Sequence, residues 1–218
     1  MIDVVPKTKE EQAYIELKNL ILEGKLPTQK FLSQRMLAAT VNTNISTIRT
    51  ALRLLENDNL IENVPQWGVR IPIETEEVLR DRYFLRELLE VGAVKLIIRK
   101  RKSENLDISS IIEKAKLCDK VAKEEPKDIT KFSKTHLDFH LELAKKSGSP
   151  LLLQSLEKIH FRSLIQSHAK RGWATGSLIN HQLLVDVILD GDENKAIAEM
   201  TNHIKGGLES ELNNLVQI

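Results

Sequence analysis

The chain has 218 residues, 41% hydrophobic but only 4% aromatic, so its core must be built from Leu, Ile, Val and Ala, a mix suited to helices. Lys and Arg (32) nearly cancel Asp and Glu (31), which excludes a uniformly basic coat for nucleic acid. The single cysteine, Cys118, excludes an intramolecular disulfide framework, and no apolar leader or run of membrane-spanning length is present; a soluble, cytoplasmic protein is expected.

The first predicted helix runs from about Lys9 to Glu23, with Tyr14, Leu17, Leu20 and Ile21 at helical spacing and Gly24 to end it. A second spans about Ser33 to Ala39 with Ser33 as N-cap, and a third follows "VNTN", capped by Asn44. In the third, Ile48, Ala51, Leu52 and Leu55 fall at i, i+3, i+4 and i+7 and predict one buried face. Ser46, Thr47, Arg49, Thr50 and Arg53 are assigned to the other faces. The segments "LIENV" and "VRIPI" then read as short strands around a "PQWG" turn. Three helices and a small hairpin are the layout of a winged helix-turn-helix.

The local charge supports that layout. From Gly24 to Leu55 there is no acidic residue, while Lys25, Lys30, Arg35, Arg49 and Arg53 fall within the stretch. A recognition helix needs short polar or planar side chains at its N-terminal half, where base edges are within reach. Asn44, Ser46, Thr47 and Arg49 meet that need, Arg49 being able to grip a guanine with two hydrogen bonds. Arg35 is placed at the groove edge, Arg53 and Lys30 on phosphates, and Trp67 and Gly68 at the wing tip over a minor groove or phosphate.

From Glu76 onward the pattern is helical, with helices expected near 76–102, 105–123, 127–147, 150–171, 176–190 and 192–215. The expected domains are a winged helix-turn-helix over 1–73 and an all-helical, antiparallel bundle over 76–218, making a mainly α protein. All six histidines lie in the second part. His136 and His140 are i, i+4 on one helix and can share a cation; the tight "DGD" turn puts His181 and His203 at comparable heights on the last two helices. His160 and His168 have no partner at helical spacing and are expected to be structural or exposed. "HLDFH" parallels the zinc-protease pattern H-E-x-x-H, but Leu137 stands where the general base belongs, so no enzyme is expected.

The segments "EGKLP", "LSQRMLA", "IRTALRLLENDNLI" and the "QWG" turn resemble the N-terminal winged helix of the GntR family of bacterial transcription regulators. Ile45 replaces an arginine that touches DNA in several members of that family. Residues 78–215 resemble the FCD effector domain of the FadR-like branch, through "YFLRELLEVGAVKL", "HLDFHLELAKKSGSPLL" and "NHQLLVDVILDGDENKAIAEMTNHI". The resemblance implies a divalent metal held by His140, His181 and His203, with His136 where the family usually has an aspartate. An all-imidazole set favours Zn²⁺, Ni²⁺ or Cu²⁺ over Mn²⁺ or Mg²⁺, with zinc or nickel expected here. It also implies a homodimer on double-stranded operator DNA, repression as the commoner mode, and a small carboxylate effector for which Arg86 and Arg162 are candidate clamps. A dedicated metal sensor is the alternative reading.

Overall fold

The computed structural model describes residues 7–28, 30–125, 128–169 and 180–215, apart from the side chains of 129, 164–169 and 214–215. The chain forms two compact units that divide between Ile73 and Glu74.

The first unit holds α1 (Lys9–Leu22), α2 (Gln34–Thr40), α3 (Ile45–Asn57), β1 (Glu62–Val64) and β2 (Gly68–Arg70). Each helix begins where a short polar side chain closes its first turn. Thr8 and Glu11 form a reciprocal capping box on α1, Ser33 accepts from the Met36 N–H on α2, and Asn44 accepts from the Thr47 N–H on α3. Ala13, Leu17 and Ile21 of α1 meet Ile48, Ala51, Leu52 and Leu55 of α3 in one core. The strands are shorter than expected because only three residues of each pair: Glu62 with Arg70, Asn63 with Val69, Val64 with Gly68. Leu32 extends this ribbon through its backbone, bonding both ways with Val69. Gly68 at φ +103° lies so close to Leu32 that a Cβ would stand 2.6 Å from the Leu32 carbonyl oxygen, so no other residue fits there.

The second unit comprises α4 (Glu76–Glu104), α5 (Ser109–Val121), α6 (Ile129–Lys146), α7 (Pro150–Ala169), α8 (His181–Asp190) and α9 (Glu193–Leu215). Helix α5 starts four residues later than the sequence suggests, since the Asp107 carboxylate bonds Ser109 and holds the preceding segment as a turn. The α8 start expected at 176 lies outside the described residues; the described helix opens at His181. Helix α4 packs on α6, α7, α8 and α9, and α5 on α6 and α8. Leu79, Val94, Ile97, Ile111, Phe139, Leu143, Leu184 and Ile188 share one apolar core. The seam that α4 turns inward is not purely apolar. It runs Leu79, Tyr83, Arg86, Glu90, Ala93 and Ile97, all buried, so two charged side chains sit in a heptad seam.

Candidate metal centre and DNA-reading face

The four predicted histidines come together inside the second unit. His136 and His140 project from one face of α6, His181 opens α8, and His203 projects from α9. One ring nitrogen from each lies within 4.8 Å of all the others. The His140 Nε2 stands 3.1 Å from the His136 Nε2 and 3.3 Å from the His203 Nε2. A tetrahedral ion with metal–nitrogen bonds of about 2.0–2.1 Å has edges of about 3.3 Å, so these two separations already suit such an ion. His140, His181 and His203 are buried and His136 is half-buried.

Two carboxylates that sequence reasoning missed set the protonation of this cluster. Glu90 places Oε2 2.5 Å from the His140 Nδ1, so the Nδ1 edge of the ring turns to the carboxylate and the Nε2 edge faces His136 and His203. Asp119 does the same for His181, with Oδ1 2.6 Å from Nδ1. Asp119 also accepts the backbone N–H groups of His181 and Gln182, each at 3.1 Å, and so caps α8 from a neighbouring helix. That capping fixes His181 at the helix start; Asn180 makes no side-chain cap. His136 is positioned differently, its ring stacked on Phe132 at 5.4 Å.

The electrostatics favour the neutral ring at His136, His140 and His203. Burial and the neighbouring histidines hold His136 and His203 well below the ordinary imidazole range, and burial takes His140 down to about 3 despite Glu90 beside it. Burial pushes the Glu90 carboxyl up, but His140 and the Arg86 guanidinium outweigh it and keep the group ionised. Asp119 is likewise lowered, its contacts with His181 and the α8 backbone overcoming burial. Cys118 is buried with its Sγ 3.9 Å from the His181 Nε2, and burial and Asp119 push its thiol up to about 12, so it is an inert packing group.

Several expectations need correction. His160, expected to be structural or exposed, is the former: it is buried with Nε2 3.1 Å from the Glu90 Oε1, and Glu90, His140 and His160 form a second convergent group. The side chain of His168 lies outside the described residues. Arg86 is not a free clamp: it is buried, its Nε bonds the Glu90 Oε1 at 2.9 Å, and its charge is already neutralised. Arg162 contacts the Glu74 Oε1 at 3.1 Å, so its charge is shared too.

In the first unit, Arg35, Asn44, Ser46, Arg49, Arg53 and Trp67 are exposed. Thr47 is not on this face. It is 3% exposed and its hydroxyl meets the Glu10 carboxylate at 3.3 Å, because position 47 lies four before Ala51 and joins the buried stripe. Asn44 is engaged as the cap of α3, so Asn44→Ala is expected to cost about 0.5–2 kcal/mol of stability, read by urea melts. Gly68 serves the close approach to Leu32 described above, whereas Trp67 beside it packs tilted on Phe31 at 5.4 Å and remains 67% exposed. Gln34, unremarked in the sequence, accepts from the Nε of the exposed Arg49 at 3.1 Å, a bond that does not use the two terminal nitrogens.

No helix among the described residues is long and apolar enough to cross a membrane. Comparison with known proteins places both units. The chain is 33% identical to the HTH-type transcriptional regulator YdhC of Bacillus subtilis over 97 residues, 44% of this chain and 43% of that protein. It is 25% identical to the HTH-type transcriptional repressor GlaR of Escherichia coli over 205 residues, 88% of this chain and 90% of that one. Among solved structures, E. coli McbR/YncC shares the fold at TM-score 0.73 and 21% identity, covering 95% of this chain and 100% of that chain. A putative transcriptional regulator GntR from Rhodococcus sp. RHA1 does so at 0.75 and 18%, covering 95% and 99%. The model of the gntR family of bacterial regulatory proteins matches residues 9–71 and that of the FCD domain residues 81–206; the chain therefore belongs to the FCD-bearing gntR-family regulators, DNA-binding transcription regulators rather than enzymes.

Proposed function

We propose that this regulator is a homodimeric repressor whose helical domain holds one divalent metal ion on His136, His140, His181 and His203, zinc or nickel before manganese. The observation that carries the reading is the convergence of four imidazoles, two of them with Nδ1 set against the carboxylates of Glu90 and Asp119. An all-nitrogen set suits borderline-soft ions, while Mn²⁺ and Mg²⁺ prefer oxygen. When bound, the ion supplies a fixed positive charge inside the bundle and a Lewis-acidic point for a small carboxylate effector.

The chain's own residues do the rest. His140 and His181 arrive with their tautomers set, so binding costs little reorganisation. Arg86 and Arg162 are each neutralised by a glutamate, so an incoming carboxylate finds no free guanidinium at either. That favours the metal cluster, and not an arginine pair, as the attraction for an acid. The reading in which the ion is itself the signal rests on the same four residues. The two separate in a gel-shift titration: a carboxylate-responsive repressor changes operator affinity only when acid is added to the metal-loaded protein, and a metal sensor changes it on loading alone. Loss of both responses would sink the proposal. The coupling expected is about 5- to 150-fold in DNA affinity.

On the DNA side, Arg49 reads a base and Gln34 aims it. Arg49→Ala is expected to weaken binding to a selected operator by about 1–3 kcal/mol and relax one base position. Gln34→Ala is expected to relax the same position while leaving non-specific binding and its salt dependence intact. Anisotropy titrations on operator variants at two salt concentrations check both.

A further inference from the structure

The buried charges around Arg82 and Arg86 also form a path that leads away from the histidine cluster. At one end the His140 Nδ1 meets the Glu90 Oε2, and the Glu90 Oε1 takes the Arg86 Nε at 2.9 Å. The Arg86 guanidinium lies over the Tyr83 ring at 4.8 Å, and the Tyr83 hydroxyl donates to the Glu211 Oε1 at 2.8 Å. The Glu211 Oε2 accepts from the Arg82 Nη2 at 2.7 Å, and Arg82 grips both oxygens of Glu74 at 2.9–3.0 Å. Glu74 is 3% exposed and is the first residue after the DNA-binding unit. The next residue, Thr75, caps α4 by accepting the Val78 N–H.

Stability alone does not account for such a path. Burying several arginine–glutamate pairs carries a desolvation cost that apolar side chains of similar volume avoid, often with a gain. What buried charges add is discrete alternatives, and here each glutamate serves at least two donors. Glu90 meets Arg86, His140 and His160; Glu211 meets Arg82 and Tyr83; Glu74 meets Arg82 and Arg162. Positive charge gained on the Nε2 side of His140 draws Glu90, 2.5 Å from its Nδ1, toward His140 and loosens Arg86. Further along, Arg86 packs over the Tyr83 ring, Tyr83 and Arg82 share Glu211 as acceptor, and Arg82 divides its donors between Glu211 and Glu74.

We infer that occupancy of the histidine cluster is transmitted to the interdomain linker through the chain Glu90–Arg86–Tyr83–Glu211–Arg82, which ends by fixing Glu74. The inference rests on the metal reading and specifies how that site is regulated. Tyr83 and Glu211 are positioning residues in it: neither touches the cluster or the DNA-reading face.

The test is hydrogen exchange on the full-length chain with and without one equivalent of zinc, in wild type, Tyr83→Phe and Glu211→Gln. Tyr83→Phe keeps the ring over Arg86 and deletes only the hydroxyl, so it preserves folding; Glu211→Gln breaks the next link. In wild type, zinc is expected to slow exchange at residues 71–79 at least about threefold, beside protection of α6 and α8. In both variants the protection of α6 and α8 remains and the zinc-dependent change at 71–79 disappears. A merely structural role raises exchange equally with and without zinc, and that result overturns the inference. So does a linker that ignores zinc in wild type while α6 and α8 respond, which leaves the metal reading standing. Absence of any zinc-dependent protection removes the metal reading and this inference with it.

Discussion

His140→Ala is expected to weaken zinc binding by more than about 100-fold, the largest single effect on the metal site. His140 has the central place in the cluster: its Nε2 is within 3.3 Å of two other ring nitrogens, and its Nδ1 is held by Glu90. Removing it deletes one ligand and leaves the Glu90 carboxylate to Arg86 and His160 alone. Glu90→Gln separates these contributions. The amide keeps the shape but no longer fixes the His140 tautomer with a charge, so a smaller loss, about 10- to 100-fold, is expected. Asp119→Asn should behave likewise through His181 and also weaken the start of α8. Competition against a chromophoric chelator measures all three. Equal affinity in wild type and His140→Ala places the ion elsewhere.

The second large effect is acid lability of the metal-free protein. His140, His160 and His203 are almost wholly buried and all are shifted below the usual imidazole range, chiefly by burial. The sign follows from proton counting: below about pH 6.5 the unfolded chain binds protons that the folded chain refuses, so stability is full above that pH and falls as pH drops toward the folded pKa values. Each group contributes about 1.4 kcal/mol per pH unit within that window. The three losses have the same sign and add, against a total of about 5–15 kcal/mol typical of a domain. Glu90, lowered in the folded state, adds a further loss only below about pH 4.5. Urea melts of the chelated protein across this range are expected to show the decline, and saturating zinc is expected to reduce it because the ion binds only neutral rings. A flat profile in the metal-free protein contradicts the buried, neutral assignment.

The caps on α2 and α3, the buried stripe on α3 and the pairing of His136 with His140 follow from residue spacing and short polar side chains; the convergence of all four histidines was legible only through the family resemblance. The error at Thr47 arose at a helix edge, where the stripe 48, 51, 52, 55 widens by one residue and takes in position 47. Strand length in the wing was overestimated because β-branched composition says nothing of how far two strands pair. Glu90 and Asp119 had weaker signals. Glu90 and Arg86 interrupt an otherwise apolar heptad seam on α4, and charged residues in such a seam point to a buried network. Asp119 left no local mark: its partners at 181 and 182 are more than sixty residues away, and only the packing of α5 on α8 brings them together.

The most direct test of the metal centre is elemental analysis of full-length protein, purified without a histidine tag, after dialysis against equal concentrations of zinc and manganese. Four converging imidazoles predict close to one zinc per chain and almost no manganese, with zinc lost in His140→Ala. Manganese uptake equal to that of zinc, or no metal in wild type after reconstitution, contradicts the nitrogen-only site and leaves the four histidines as a packing cluster.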